Sequence, residues 1–279
     1  METGVNNPSY SSFDKKALES LSLKEECHLS IQLGLNGFSF CIRNDKEILG
    51  LEAYDLAISQ IEAKLAQISW LKENFASNEL CFTTKKHTLI PNPIFDSNQK
   101  EKYLSFNHKK TDALTILTDA IRPLDCQLVY GVSKAEQEII QSYFPKASLK
   151  HLCTTYIPFL LSENKNKNEQ KMIANLSYNQ LQLSLIDHST FKYYNVFNFK
   201  NAHDCMYFIL FAFEQLELNP EEVILELTGN VNKDSEFFEL AYTYIRHVKF
   251  RKGIVTVSPN IEKFSKHQYY TLIHQHLCE

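Results

Sequence analysis

One stretch of this chain occurs twice. Gln32-Leu33-Gly34-Leu35-Asn36-Gly37-Phe38-Ser39-Phe40-Cys41-Ile42 returns as Asn175-Leu176-Ser177-Tyr178-Asn179-Gln180-Leu181-Gln182-Leu183-Ser184-Leu185, at an offset of 143 residues (32 to 175). Leu33 and Leu176 are identical, as are Asn36 and Asn179, and most other pairs match in class. Carried on without a gap, the same offset sets 48–56 on 191–199 and 79–82 on 222–225. Apolar and polar side chains alternate through these segments, the period of half-buried strands. Asn36-Gly37 supplies the positive φ of a tight hairpin turn. Such a chain is expected to build two like units, each three antiparallel strands, a helix and a fourth strand.

In order, the strands are expected over 28–33, 38–42 and 47–55, a helix over 57–75 with apolar residues at helical spacing, and a strand over 80–83. The first half then carries material that the second lacks: Pro91-Asn92-Pro93 breaks the chain, 99–106 reads as helix, and 113–121 and 127–132 read as strands. A helix over 134–143 opens on Ser133 as N-cap, followed by a strand over 148–152 and a helix over 154–161. The second half repeats strands at 172–176, 180–186 and 190–199. Asn201 caps a helix to about 218, which is apolar all round over 205–213 and so is expected to be buried on more than one side. A strand over 223–227, a turn at Thr228-Gly229-Asn230, a helix over 234–247, a strand-like run over 249–257 and a last helix over 258–277 complete the chain. Residues 1–26 read as a loose tail with a short helix near 14–21. The domain expectation is a lead-in at 1–27, a first half at 28–162 with an inserted subdomain at about 85–132, an all-polar junction at 163–170, and a second half at 171–279 with the C-terminal helix.

Composition excludes several classes. A net charge of −4 gives no electrostatic reason to expect nucleic acid. Seven widely spaced cysteines, with no C-x-x-C, point to a reducing compartment. The longest apolar run, 205–213, is far short of the ~18 residues of a membrane span. A cytoplasmic chain is expected, with no signal segment at its start. Glycine numbers only 7, so phosphate cradles are scarce.

A strand-strand-strand-helix-strand unit repeated around a polar junction resembles the actin, hexokinase and heat-shock-chaperone ATPase superfamily. Within it, the chain is most similar to an uncharacterised bacterial family with this duplicated fold, distantly similar to the actin-like protein of type IV pilus assembly. The resemblance implies an α/β fold of two related actin-like (ribonuclease H-like) halves flanking a cleft, with an extra α/β subdomain in the first half. It implies that the last helix crosses back to the first half. It also marks a candidate nucleotide site. The superfamily's two phosphate loops carry Asp-x-Gly; here they read Gln32-Leu33-Gly34, followed by Asn36, and Asn175-Leu176-Ser177, followed by Asn179. The Gly-Gly turn against adenosine reads Thr228-Gly229-Asn230, with Asn230 able to take positive φ. Both Mg²⁺-orienting carboxylates are amides, which carry no charge and cannot act as bases near neutral pH.

Other clusters have plainer readings. His274-x-His276-x-Cys278 with His267 has metal-ligand residue types, but residues two apart on a helix diverge. His203-Asp204-Cys205 reads as core packing, and Lys85-Lys86-His87 and His108-Lys109-Lys110 as solvated faces. Along 191–199, Phe191, Tyr193, Tyr194, Phe197 and Phe199 include consecutive aromatics that must lie on opposite faces. The expectation is a non-catalytic scaffold that binds an unknown protein, with no cofactor and no metal. The alternative is an ATP-binding enzyme with atypical loops, using ATP and Mg²⁺; small-molecule binding without turnover lies between.

Overall fold

The computed structural model describes residues 8–34, 37–56, 58–109, 113–145, 147–177 and 179–278. The chain divides into two compact units, Met1–Tyr156 with Ile254–Lys263 and Thr271–Glu279, and Ile157–Gly253 with Phe264–Tyr270.

The first unit runs β1 (Tyr10–Phe13), α1 (Lys15–Ser20), α2 (Leu23–Glu26), β2 (His28–Gly34), β3 (Gly37–Arg43), β4 (Ile48–Asp55), α3 (Ile58–Gln67), β5 (Ser77–Phe82), β6 (His87–Pro91), α4 (Lys100–Asn107), β7 (Leu114–Ile121), β8 (Cys126–Ser133), α5 (Lys134–Tyr143) and β9 (Ser148–His151). Among the described residues these strands form a six-stranded sheet, β1-β4-β3-β2-β5-β9, and a three-stranded sheet, β6-β8-β7. The smaller sheet, with α4, is the added subdomain. α5 opens on a capping box between Ser133 and Glu136.

The division between the units falls inside α6 (Leu152–Glu163). Next come β10 (Gln170–Ser177), β11 (Gln180–Asp187), β12 (Thr190–Asn198), α7 (Ala202–Gln215), β13 (Ile224–Gly229), α8 (Glu236–Tyr244), β14 (His247–Phe250) and α9 (Tyr270–His274). Among the described residues the second unit's strands order as β12-β11-β10-β13-β14. That is the order β4-β3-β2-β5-β9 again, with two antiparallel pairings followed by two parallel ones in each unit. Period-two alternation builds the second core: Met172, Ala174 and Leu176, Leu181, Leu183 and Leu185, and Leu225 and Leu227 face Cys205, Met206, Ile209 and Phe213 of α7. Each large apolar side chain buried there contributes roughly 1.5–3 kcal/mol.

The ungapped alignment fails at the fourth strand. Leu33 pairs with Phe82, and its counterpart Leu176 pairs with Gly229, an offset of 147 (82 to 229). Glu79–Phe82 therefore corresponds to 226–229 and not to 222–225; the connection through α7 is four residues longer than that through α3.

Several local expectations are also corrected. The 57–75 helix stops at Gln67, Ile68 is extended, and a 3₁₀ turn follows at Ser69–Lys72. That break lets Trp70 dock edge-on against Phe13 and Phe40, at 5.8 and 5.4 Å. The described part of the tail is no loose end: β1 pairs with β4, and Asp14 accepts from Ser258 Oγ at 2.6 Å and Asn260 Nδ2 at 3.0 Å. The same bonds undo the expected 258–277 helix. Ser258 N–H donates to Ile48 O and Val257 bridges Ile48, so the backbone there serves β4, and helix remains only in α9 and a 3₁₀ turn at Gln275–Cys278. α7 is not enclosed: Tyr207 is 61% and Phe211 42% exposed, their rings stacked at 6.1 Å.

Candidate functional site

The strand ends expected as candidate phosphate loops lie one in each unit. In the second, Asn175, Gln182 and Thr228 belong to β10, β11 and β13 and point to the sheet face opposite the apolar core. Asn175 pairs with Gln182 across one ladder and with Thr228 across the other. All three are buried. Asn175 Nδ2 donates to Gln182 Oε1 at 3.2 Å, and Thr228 Oγ1 donates to Asn175 Oδ1 at 3.0 Å. Both ends of the amide are thus engaged by neutral partners.

The turn after β13 is similarly committed. Gly229 has φ +83°, and a Cβ there would lie 2.0 Å from Leu176 O and 2.8 Å from Asn175 Oδ1, so only glycine fits. The positive φ belongs to Gly229, not to Asn230. Gly229 N–H donates to His267 O at 2.8 Å, Asn230 N–H to Leu176 O at 2.6 Å, and His267 Nε2 donates to Val231 O at 2.8 Å. Ser177 and Asn230 line a cavity of about 250 Å³ with Asn201, Cys205 and Ser235. Asn179 is exposed, and its carbonyl accepts from Phe199 N–H at 3.0 Å.

In the first unit Gln32 is half-buried, and its Oε1 accepts from Thr271 Oγ1 at 3.1 Å. Gln275 Nε2 donates to Ile31 O and Glu79 O on the same sheet face. Gly34 opens onto a cavity of about 200 Å³; Asn36 lies outside the described residues. Sequence reasoning passed over Gln182 and Thr271 as site residues and weighed His267 only as a metal ligand. The hairpin register alone would have found Gln182, because a turn at 178–179 sets 182 opposite 175.

Polar residues converge elsewhere as well. In the second unit Glu226, at the register position of Glu79, pairs with Arg251 and lies 3.3 Å from Lys249 and 3.9 Å from Lys171. Glu163 accepts from Arg251 and from Tyr270 OH, and the nearly fully buried Asn164 takes Lys171 Nζ at 3.3 Å. In the first unit His151 is fully buried. It donates from Nε2 to Thr84 O at 3.0 Å and accepts Cys153 N–H on Nδ1, the neutral tautomer. Desolvation pushes His151 down to about 3 and the neighbouring His87 down to about 4. Asp119 accepts from Thr154 Oγ1, His151 N–H and Tyr130 OH.

The rival clusters separate. His267 stacks on Phe250 at 4.3 Å, whereas His274 Nε2 accepts Ile254 N–H at 3.1 Å. Among the described residues no group of three metal-ligating side chains forms. His203 faces Glu236, and Cys205 is buried with its thiol pushed up to about 12. His87 is not a solvated residue; it donates to Thr84 O and begins β6. No helix among the described residues is long and apolar enough to cross a membrane.

The family model described as "Protein of unknown function (DUF3822)" matches residues 18–248. The chain belongs to the DUF3822 family. No curated protein matches it by sequence. Among solved structures, the DUF3822 chain is similar to a Bacteroides thetaiotaomicron protein with an actin-like ATPase fold and unknown function. That match has 20% identity and a TM-score of 0.74, over 82% of this chain and 91% of that one. It is also similar to the PilM–PilN type IV pilus biogenesis complex, at 11% identity and a TM-score of 0.57, over 89% and 95%. The fold is that of the actin-like ATPases.

Proposed function

We propose that this DUF3822 protein is a non-catalytic member of the actin-like fold that serves as a protein-interaction scaffold, with no nucleotide turnover and no bound metal. The two sheets are read as copies of one ancestral unit, and the chain as cytoplasmic. The observation that carries the reading is the Asn175 amide. Where the resembled superfamily holds a Mg²⁺-orienting carboxylate, this chain has an uncharged group tied to Gln182 and Thr228. Mg²⁺ with phosphates calls for one or two carboxylates, and phosphoryl transfer depends on cancelling charge at the phosphates. The Gly229 N–H, a backbone donor at the adenosine turn, is spent on His267 O. ATP with Mg²⁺ therefore fits these residues poorly.

Protein interaction draws support from the bare aromatic side chains of α7 and α8. Tyr207, Phe211, Tyr242 and Tyr244 are 42–67% exposed, and exposed apolar clusters of this kind mark interaction sites. Tyr193, Phe197 and Phe199 of the β12 region pack against the core instead. PilM, of like fold, is itself found in a complex with PilN.

The test is phosphate release by the purified full chain with ATP and Mg²⁺, beside Gln32→Asp, Asn175→Asp and the double variant. The expected result is no release above buffer from the native chain. Robust turnover abolished by Asn175→Ala overturns the reading and establishes an ATPase with atypical loops.

A further inference from the structure

The structure assigns a second kind of site to the first unit: we infer that the cavity beside Gly34 binds a small amphipathic carboxylate, an aliphatic tail with one anionic head. The cavity lies at the carboxyl ends of the parallel strands β2 and β5, where open α/β sheets commonly place ligands. Its walls are Leu33, Ile61, Phe82, Leu114, Val132 and Ile140. Small-molecule sites are of this kind, apolar with a few placed polar groups.

Two of the three charged lining residues are cationic, beside the hydroxyls of Thr83, Thr84 and Ser133. Lys85 and Lys86 line the same cavity, and among the described residues no ion pair is made by either ammonium. Their loop is fixed. Lys86 N–H donates to Thr84 Oγ1 at 3.1 Å, and Lys86 O accepts Gly131 N–H at 2.9 Å. The one acidic lining residue, Glu136, is engaged in the α5 capping box, accepting Ser133 N–H at 3.3 Å. An apolar slot beside two unpaired ammoniums selects a carboxylate over an amine.

The second unit sharpens the assignment. Its cavity sits at the same topological place, with Leu176 for Leu33, Ser177 for Gly34 and Asn230 for Thr83. No lysine or arginine lines it; its one charged lining residue, Glu236, is acidic, and Asn201 caps α7 and Ser235 caps α8. The ligand chemistry is thus confined to the first unit, and it stands apart from the scaffold reading.

The experiment titrates the full chain with octanoate, octylammonium and 1-octanol, followed by calorimetry and by methyl chemical shifts of Leu33, Ile140, Leu176 and Leu181. Octanoate is expected to saturate one site, bind at least ~10-fold more tightly than octylammonium, and shift only the first-unit methyls. Gly34 lies outside the left-handed region, and a Cβ there meets only Thr83 Cβ, at 3.9 Å, so Gly34→Leu fills the cavity mouth without backbone strain. It is expected to weaken octanoate ~10-fold or more. Lys85→Glu with Lys86→Glu, on the loop surface, is expected to do the same while leaving 1-octanol unchanged. Absence of saturable octanoate binding, equal affinity for all three probes, or shifts confined to Leu176 and Leu181 would each overturn the assignment.

Discussion

The two five-strand sets share an order and differ in what they do with the ends of their parallel strands. In the second unit the polar groups at that end are engaged. Asn175, Gln182 and Thr228 satisfy one another, and Gly229 and Asn230 are bonded to His267 and Leu176. In the first unit Gly34 has room for a Cβ, with only Thr83 Cβ near, and two lysines stand beside an apolar cavity. One topology thus carries an engaged polar face in one unit and an apolar cavity beside two lysines in the other.

The largest expected effect breaks the second unit's polar face at its charged end. Arg251→Met removes a partner of the buried carboxylate Glu226 and of the part-buried Glu163. Losing one side of a buried pair costs about 3–5 kcal/mol, to be read as a lower chemical-denaturation midpoint. The double change Arg251→Met with Glu226→Leu should recover part of that loss; no recovery would mean that the pair is not coupled.

Next comes the contrast between glycines. Gly229→Ala forces a Cβ against Leu176 O in left-handed backbone and is expected to cost about 2–3 kcal/mol. Gly34→Ala should change stability by roughly 0.5 kcal/mol or less. Equal costs would erase the distinction drawn between the two strand ends.

A histidine-linked pH dependence of the first unit follows. His87 and His151 are held neutral by burial, at about 4 and about 3 against an ordinary 6.5. A depressed histidine binds fewer protons folded than unfolded, so its contribution is complete above pH 6.5 and is lost as pH falls through the folded values. The loss is on the order of 2 kcal/mol or more. Amide hydrogen exchange between pH 7 and 4 should show β6 and β9 losing protection before β10 and β13. Simultaneous loss would place the acid-sensitive groups elsewhere.

Much of this was legible in the sequence. Alternation and the Asn-Gly turn located β2, β3, β10 and β11, and Ser133 and Asn201 marked helix starts that the structure keeps. The amides Gln32 and Asn175 at the ends of β2 and β10 were visible as well. What sequence could not supply was long-range partnership. β1 reads as polar tail because its pairing with β4 spends backbone groups, not an apolar stripe. The 258–277 segment has helix-forming residues, yet Ile48 and Asp14 claim its hydrogen bonds. The four-residue shift at β13 was hidden because two apolar strands align in either register. Polar Asn164 reads as linker and is buried against Lys171.

The engaged amides and turn of the second unit are expected to exclude a nucleotide, and isothermal titration of Mg²⁺–ATP into the full chain tests this most directly. The predicted result is no saturable heat from the native protein. A one-to-one isotherm from the native chain, lost on Asn175→Ala or Gln32→Ala, would contradict it.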